Sequence, residues 1–203
     1  MSEYRPPQPF SLAKYDRVFL DCETTGLQMY GGDSIVGVAV GVDTSPTQSY
    51  MKYFPVGHLQ GPNLRKAAVY SWLRDELKGK TIIGHNIGSF DLPFLRHEGL
   101  NLIPDNKFED TMHAAILDNP SALGYSLNAV AKRYLGGEFG KIEGFNKEKM
   151  ADYHPAEVGP YAEQDIRLCS ELSPVLYGHL RKRGLLRVFE LECDTIRPVV
   201  EME

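Results

Sequence analysis

The sequence predicts an α/β fold, one sheet with helices packed against it. Short apolar and β-branched runs crowd the first third of the chain. Strand-like runs then alternate with segments of helical period. The 203 residues, 42% hydrophobic and 24% charged, suit one ordinary core.

Residues 1–15 are polar and Pro-rich and read as a flexible lead-in. Arg17 to Cys22 (RVFLDC) is a short apolar run, expected as a buried strand. Gly26 and Gly31-Gly32 mark turns. Ser34 to Val42 is rich in β-branched residues and predicts a second strand, and Gln48 to Phe54 a third. Strands joined by such short turns pair antiparallel.

Asn63 to Leu77 has helical spacing, with Ala68, Val69, Trp72 and Leu73 expected on the apolar face. Lys78-Gly79-Lys80 ends it. Thr81 to Gly84 reads as a fourth strand, and Phe90 to His97 as a helix that tolerates Pro93 in its first turn. Lys107 to Asp110 predicts a short fifth strand. Thr111 to Leu117 and Ser126 to Tyr134 read as helices, the latter with Ser126 as N-cap. Residues 135–150 are Gly-rich, charged and aperiodic, expected as a mobile loop. Pro160 to Leu172 is helical, with Pro160 at the first position, and the rest of the chain predicts one or two helices.

No run of about 18 apolar residues occurs, so no membrane span is expected. The N-terminus has no signal-peptide core. Three cysteines without a CxxC pair fit a reducing, cytoplasmic setting and argue against a zinc site.

The chemistry lies in three separated acidic segments. Asp21 and Glu23 stand in VFLDCETTGL, Asp91 in GHNIGSFDLPFL, and Tyr161 and Asp165 in YAEQDIRLC. Strand alternation puts Asp21 and Glu23 on one face and Cys22 on the other. Helical spacing puts Tyr161 and Asp165 on one face, with Glu163 and Arg167 off it and solvent-exposed. Each motif alone has an ordinary explanation: a solvated strand end, a first-turn acid favoured by the helix dipole, or a core tyrosine beside a solvated acid. Together they would repel unless protons or cations intervene, and oxygen ligands of this kind suit Mg²⁺ or Mn²⁺. The formal charge of −5 looks wrong for a nucleic-acid partner, but the four acids supply −4 of it. Metal-dependent binding to nucleic acid is therefore compatible with the balance that remains.

In order and spacing, LDCETTGL, NIGSFD and YAEQD resemble the three motifs of the DEDDy 3′–5′ exonuclease family, specifically the proofreading domain of family A DNA polymerases. FEDTMHAAILDNP and YSLNAVAKRYLG resemble the intervening segments, and FELECDTIRPVVEME the helical stretch that leads into the polymerase. The histidine variant would need His where Pro160 stands. The resemblance implies an RNase H-like mixed five-stranded sheet, strands 1–3 antiparallel and strands 4–5 parallel. It implies an exonuclease domain over 16–180 and a tail over 181–203 that begins a link to a polymerase.

It further implies two divalent ions, Mg²⁺ or Mn²⁺. Asp21, Glu23 and Asp165 would ligate the first, Asp21 and Asp91 would hold the second, and Tyr161 would orient the attacking water. Thr24, Gly26, Leu27 and Asn86 would meet the substrate, a single-stranded or frayed DNA 3′ end. A polymerase domain or subunit is the implied partner, in the cytoplasm or with the replication machinery (the host cytoplasm for a viral protein). Arg133, Lys141, Lys147 and Lys149 are read as solvated charges within reach of phosphates, His58 as a loop residue, and Cys22 and Trp72 as packing. An RNase D-like exoribonuclease and a catalytically silent replication module are the competing readings. The full set of acids disfavours silence.

Overall fold

Strand β1 (Arg17–Thr24) occupies the middle of the sheet, and the rest of the fold is arranged about it. The computed structural model describes residues 4–45, 47–136 and 145–202. The other strands are β2 (Ile35–Ser45), β3 (Gln48–Pro55), β4 (Thr81–Gly84) and β5 (Lys107–Asp110), in the order β3-β2-β1-β4-β5. The β1–β2 and β2–β3 pairs are antiparallel, and the β1–β4 and β4–β5 pairs are parallel, as expected. Short turns permit the first kind of pairing, and the helical crossovers impose the second.

The helices are α1 (Lys66–Leu77), α2 (Asp91–His97), α3 (Thr111–Asp118), α4 (Leu127–Tyr134), α5 (Pro155–Lys182) and α6 (Leu186–Met202). Alternate residues of β1 feed different cores. Val18, Leu20 and Cys22 pack with α1, α2 and α6, through residues such as Leu73, Leu95 and Ile196. Phe19 packs on the opposite face with Val158, Ala162 and Ile166 of α5. Helix α5 lies so close to the sheet that a Cβ on Gly41 would stand 2.7 Å from Ile166. No helix among the described residues is long and apolar enough to cross a membrane.

Several boundaries differ from expectation. The lead-in is anchored rather than loose: Leu12 is fully buried, its amide donates to Glu76 at 2.6 Å, and Trp72 Nε1 donates to the Phe10 carbonyl at 3.0 Å. Phe10 also packs against the rings of Trp72 and Phe54. Helix α1 starts at Lys66 and buries Val69, Tyr70, Leu73 and Leu77, while Ala68 is exposed. Its apolar stripe includes Tyr70 because that phenol reaches Glu98 at 2.5 Å. Ser126 caps α4 as expected, accepting from the Ala129 amide.

Helix α5 begins at Pro155, not Pro160. His154 and Glu157 form a reciprocal cap there, and Pro160 lies inside at the loss of one backbone bond. The helix continues to Lys182, so the expected division between 180 and 181 falls inside it. The end of the expected loop, residues 147–150, belongs to a 3-10 helix, Lys147–Asp152, capped by Asn146. Residues 137–144 of that loop, with Lys141, lie outside the described residues.

Because Leu12 is a core residue, Leu12→Ala should lower unfolding stability by about 2–5 kcal/mol. Denaturant titration checks this, and a loss within error of zero would restore the picture of a loose lead-in.

Candidate active site

The pleat of β1 turns Asp21 and Glu23 toward the face that α5 covers. One turn of α5 then brings Tyr161 and Asp165 across the same strand end. Asp21, Glu23 and Asp165 each offer a carboxylate oxygen, and these three oxygens lie within 4.8 Å of one another. Asp91 arrives from the other side, at the start of α2. Its Oδ1 accepts from the Cys22 amide at 2.7 Å, which ties α2 to the strand that carries the other acids. All four acids line a cavity of about 360 Å³, together with Thr24, Leu27, Asn86 and Lys147.

The electrostatics follow from crowding. Burial, and then the charges of Asp91, Glu23 and Asp165, hold the Asp21 carboxyl well above its ordinary range, while Lys147 opposes the rise. Burial and then Asp165 push Glu23 up to about 8, again against Lys147. Burial raises Asp91 to about 7 although the Cys22 amide favours its charged form. Tyr161 is raised too, by burial first and then by Asp165, with which it hydrogen-bonds. Carboxylates in this state need positive charge, and hard oxygen donors at this spacing fit a divalent cation such as Mg²⁺ or Mn²⁺.

The expected substrate residues are placed as follows. Leu27 is 75% exposed at the cavity rim. The Thr24 hydroxyl donates to the Gly26 carbonyl at 2.6 Å, within the turn. A Cβ on Gly26 would stand 2.4 Å from the Asp33 carboxylate, so that side chain already fills the space beside it. Asn86 lines the cavity with a φ of 62°, the one non-glycine positive value among the described residues. Tyr161 lies outside the cavity wall and packs against Phe145.

Other expectations divide. Of the basic residues considered, Lys147 lines the cavity, whereas Arg133 donates to the Gly124 carbonyl and stacks on Tyr125 and Tyr134. Glu163 is half-buried and accepts from the Tyr53 amide at 3.1 Å, contrary to its reading as a solvated acid. The His58 ring bridges the Tyr53 hydroxyl and the Tyr153 carbonyl, each at 2.8 Å, a packing role. His154 serves as the cap of α5.

Residues 18–153 match the RNase_H_2 family, described as RNase_H superfamily. The chain belongs to the RNase H superfamily. Its sheet order and mixed pairing are those of an RNase H-like fold. A relative, the DNA polymerase DpoZ of Acinetobacter phage SH-Ab 15497, is 31% identical over 95% of the chain. The chain spans 31% of that polymerase's length. Brucella melitensis NrnC is similar with a TM-score of 0.69 and 21% identity, over 94% of this chain and 85% of that one. The POL domain of Pol1 from M. smegmatis, in complex with DNA primer-template and dNTP, is similar with a TM-score of 0.65 and 19% identity. That likeness covers 97% of this chain and 31% of that one.

Two residues of this RNase H-like site escape a motif reading. His85 lines the cavity, held by Thr111 Oγ1 at 2.9 Å and by the Tyr125 carbonyl at 2.7 Å. Asp110, at the end of β5, is 1% exposed. Its Oδ1 accepts from the Asn86 amide at 2.9 Å and from the Met112 amide at 2.8 Å, and its Oδ2 has no hydrogen-bond partner among the described residues. Asp110 thus pins the strained Asn86 backbone and caps α3. The signal was present in FEDT, an acid between a strand and a helix, and such an acid reads as a plain N-cap.

Two outcomes follow from the site. In the folded protein the Glu23 and Asp91 carboxyls are raised from their ordinary 4.5 and 3.8 to about 8 and about 7. The folded state therefore holds more protons than the unfolded one in this window, and chelator-treated protein should melt at progressively lower temperature as pH rises from about 4 to 8. Mg²⁺ or Mn²⁺ should raise the melting temperature most at the alkaline end, and Asp21→Asn should flatten both responses. Separately, Asp110→Ala should cost about 2 kcal/mol by leaving two amides unpaired. Asp110→Asn, which keeps an acceptor, should cost well under half as much in the same denaturant titration.

Proposed function

We propose that this chain is a metal-dependent 3′–5′ exodeoxyribonuclease that releases 5′-mononucleotides from single-stranded or frayed DNA 3′ ends. The observation that carries the reading is the convergence of Asp21, Glu23, Asp91 and Asp165 on one cavity, with Tyr161 bonded to the last. The likeness to phage DNA polymerase sequence supports a proofreading role beside a family A polymerase domain or subunit, in the host cytoplasm.

Asp21, Glu23 and Asp165 would hold one divalent ion, and Asp21 with Asp91 a second. When bound, such ions lower the pKa of water and offset charge on the attacking and leaving oxygens of an in-line displacement. The chain's own residues position and shield. Tyr161, its pKa raised, stays protonated near neutral pH, donates to Asp165 and orients water through its hydroxyl oxygen rather than acting as a base. The Asn86 carboxamide and the Leu27 side chain flank the terminal nucleotide from the cavity wall. Lys147 adds positive charge where a phosphate would lie.

The test is cleavage of a 5′-labelled single strand with Mg²⁺, with Mn²⁺ and with chelator. A ladder shortening from the 3′ end, abolished by chelator and lowered at least a thousandfold in the Asp21→Ala, Glu23→Ala double variant, is expected. Undiminished cleavage by that variant would refute the site. Faster cleavage of RNA than of DNA of the same sequence would replace the deoxyribonuclease reading with an RNase D-like exoribonuclease.

A further inference from the structure

The catalytic cavity does not end at its acids. Its rim residues Leu27 and Phe90 also line a neighbouring apolar groove of about 330 Å³, whose walls include Met29, Tyr30, Pro93 and Phe94. That groove shares Met29, Tyr30 and Pro93 with a third cleft of about 220 Å³, which ends at Arg96 and His97. Three adjoining spaces therefore form one path, passing from carboxylates over apolar side chains to basic ones. Leu27 and Tyr30 are 75% and 72% exposed along it. What sets these two apart from other exposed apolar side chains such as Leu59 and Leu123 is that they stand together on one path that begins at the acids. Tyr30 is set on a one-turn 3-10 helix, Met29–Gly31, directly after the turn that follows β1. Its ring meets that of His97 edge-on at 5.3 Å, which holds it over the groove.

We propose that this path is the binding track for the nucleotides upstream of the reacting one. Nucleobases stack on Leu27, Phe90 and Tyr30, and the following phosphate reaches Arg96 and His97. The inference rests on the proposed exonuclease function and extends it to the direction and extent of the bound strand. A single strand fits because its bases are free to stack. With the reacting phosphate at the acids, the upstream bases meet the apolar walls while the backbone, one phosphate per nucleotide, runs along the open side until a phosphate comes within reach of Arg96 and His97. A duplex end, with its bases already stacked and paired, lacks free faces for the groove. The Arg96 guanidinium also donates to the Val200 carbonyl, which fixes it beside α6.

Length dependence tests the track. The kcat/KM of the wild type on single-stranded DNA should climb from dinucleotide to hexanucleotide. Tyr30→Ala should raise KM on the hexanucleotide roughly tenfold, the size of one lost base stack. Its loss on the dinucleotide should be at least threefold smaller, and Tyr30→Trp should restore the long-substrate KM. Arg96→Gln should flatten the slope of log KM against log salt by about 0.7, one phosphate contact to a single strand. Equal losses on both lengths, or a wild-type KM for Tyr30→Ala on the hexanucleotide, would overturn the track while leaving the nuclease intact. A wild-type protein that cleaves neither length would overturn the proposed function, and this inference with it.

Discussion

The fold is organised around the crowding of carboxylates at one end of β1. Three of them bring oxygens within 4.8 Å of each other, and the fourth is buried beside them. Such a cluster is a liability in any fold, because burial and repulsion both disfavour its charge. The chain holds it by placing the acids on elements that cannot drift apart. β1 is paired on both edges, and α5 is packed along a buried face that includes Val158, Ala162 and Ile166. The two apolar layers on either side of the sheet supply the stabilisation that the acids work against.

Backbone amides do the finer positioning. The Cys22 amide holds Asp91, although β1 and α2 are far apart in sequence, and Asp110 holds the Asn86 amide. In both cases a buried carboxylate oxygen meets a fixed donor, so the bond sets position and also moderates charge. Cys22 lies on the opposite face of β1 from Asp21 and Glu23, on the side from which Asp91 arrives, so both its thiol and its peptide group meet Asp91 and belong to the site's frame. A substitution of the Cys22 side chain would leave the amide bond to Asp91 available while removing the thiol's contact with that carboxylate.

The legible parts of the sequence were those with a local period. Alternation in RVFLDCET placed Asp21 and Glu23 together, and the four-residue spacing of Tyr161 and Asp165 placed that pair on one helical face. The sheet's order was legible through the resemblance of three motifs, since no local pattern says which strands are neighbours. What escaped depended on tertiary context. The start of α5 was misplaced because Pro160 and Pro155 carry the same first-turn signal, and only the pairing of His154 with Glu157 decides between them. The lead-in looked loose because Phe10 and Leu12 are isolated apolar residues among prolines. Their partners, Trp72 and Glu76, are about sixty residues away. Glu163 looked like a surface acid because nothing in sequence reveals a distant amide that needs an acceptor.

Tyr161 shows how the same crowding limits chemistry. A phenol at the edge of an acidic cluster is pushed away from ionisation by burial and by the charge of Asp165. In the proposed reaction it therefore cannot take the proton from water at neutral pH. Its raised pKa instead keeps a hydrogen on the oxygen, and that hydrogen has a fixed acceptor one helical turn away. The tyrosine thus orders Asp165 and whatever oxygen lies beside it. The acids, by contrast, become competent only when positive charge replaces the protons they hold. In the proposed reaction the division of labour would follow from electrostatics: the carboxylates would recruit positive charge, and the tyrosine would supply geometry. A histidine at the corresponding face would bring a titrating base into the cluster. Here Pro160 occupies the neighbouring position and Tyr161 packs beneath on Phe145, so orientation is the role left for that side chain.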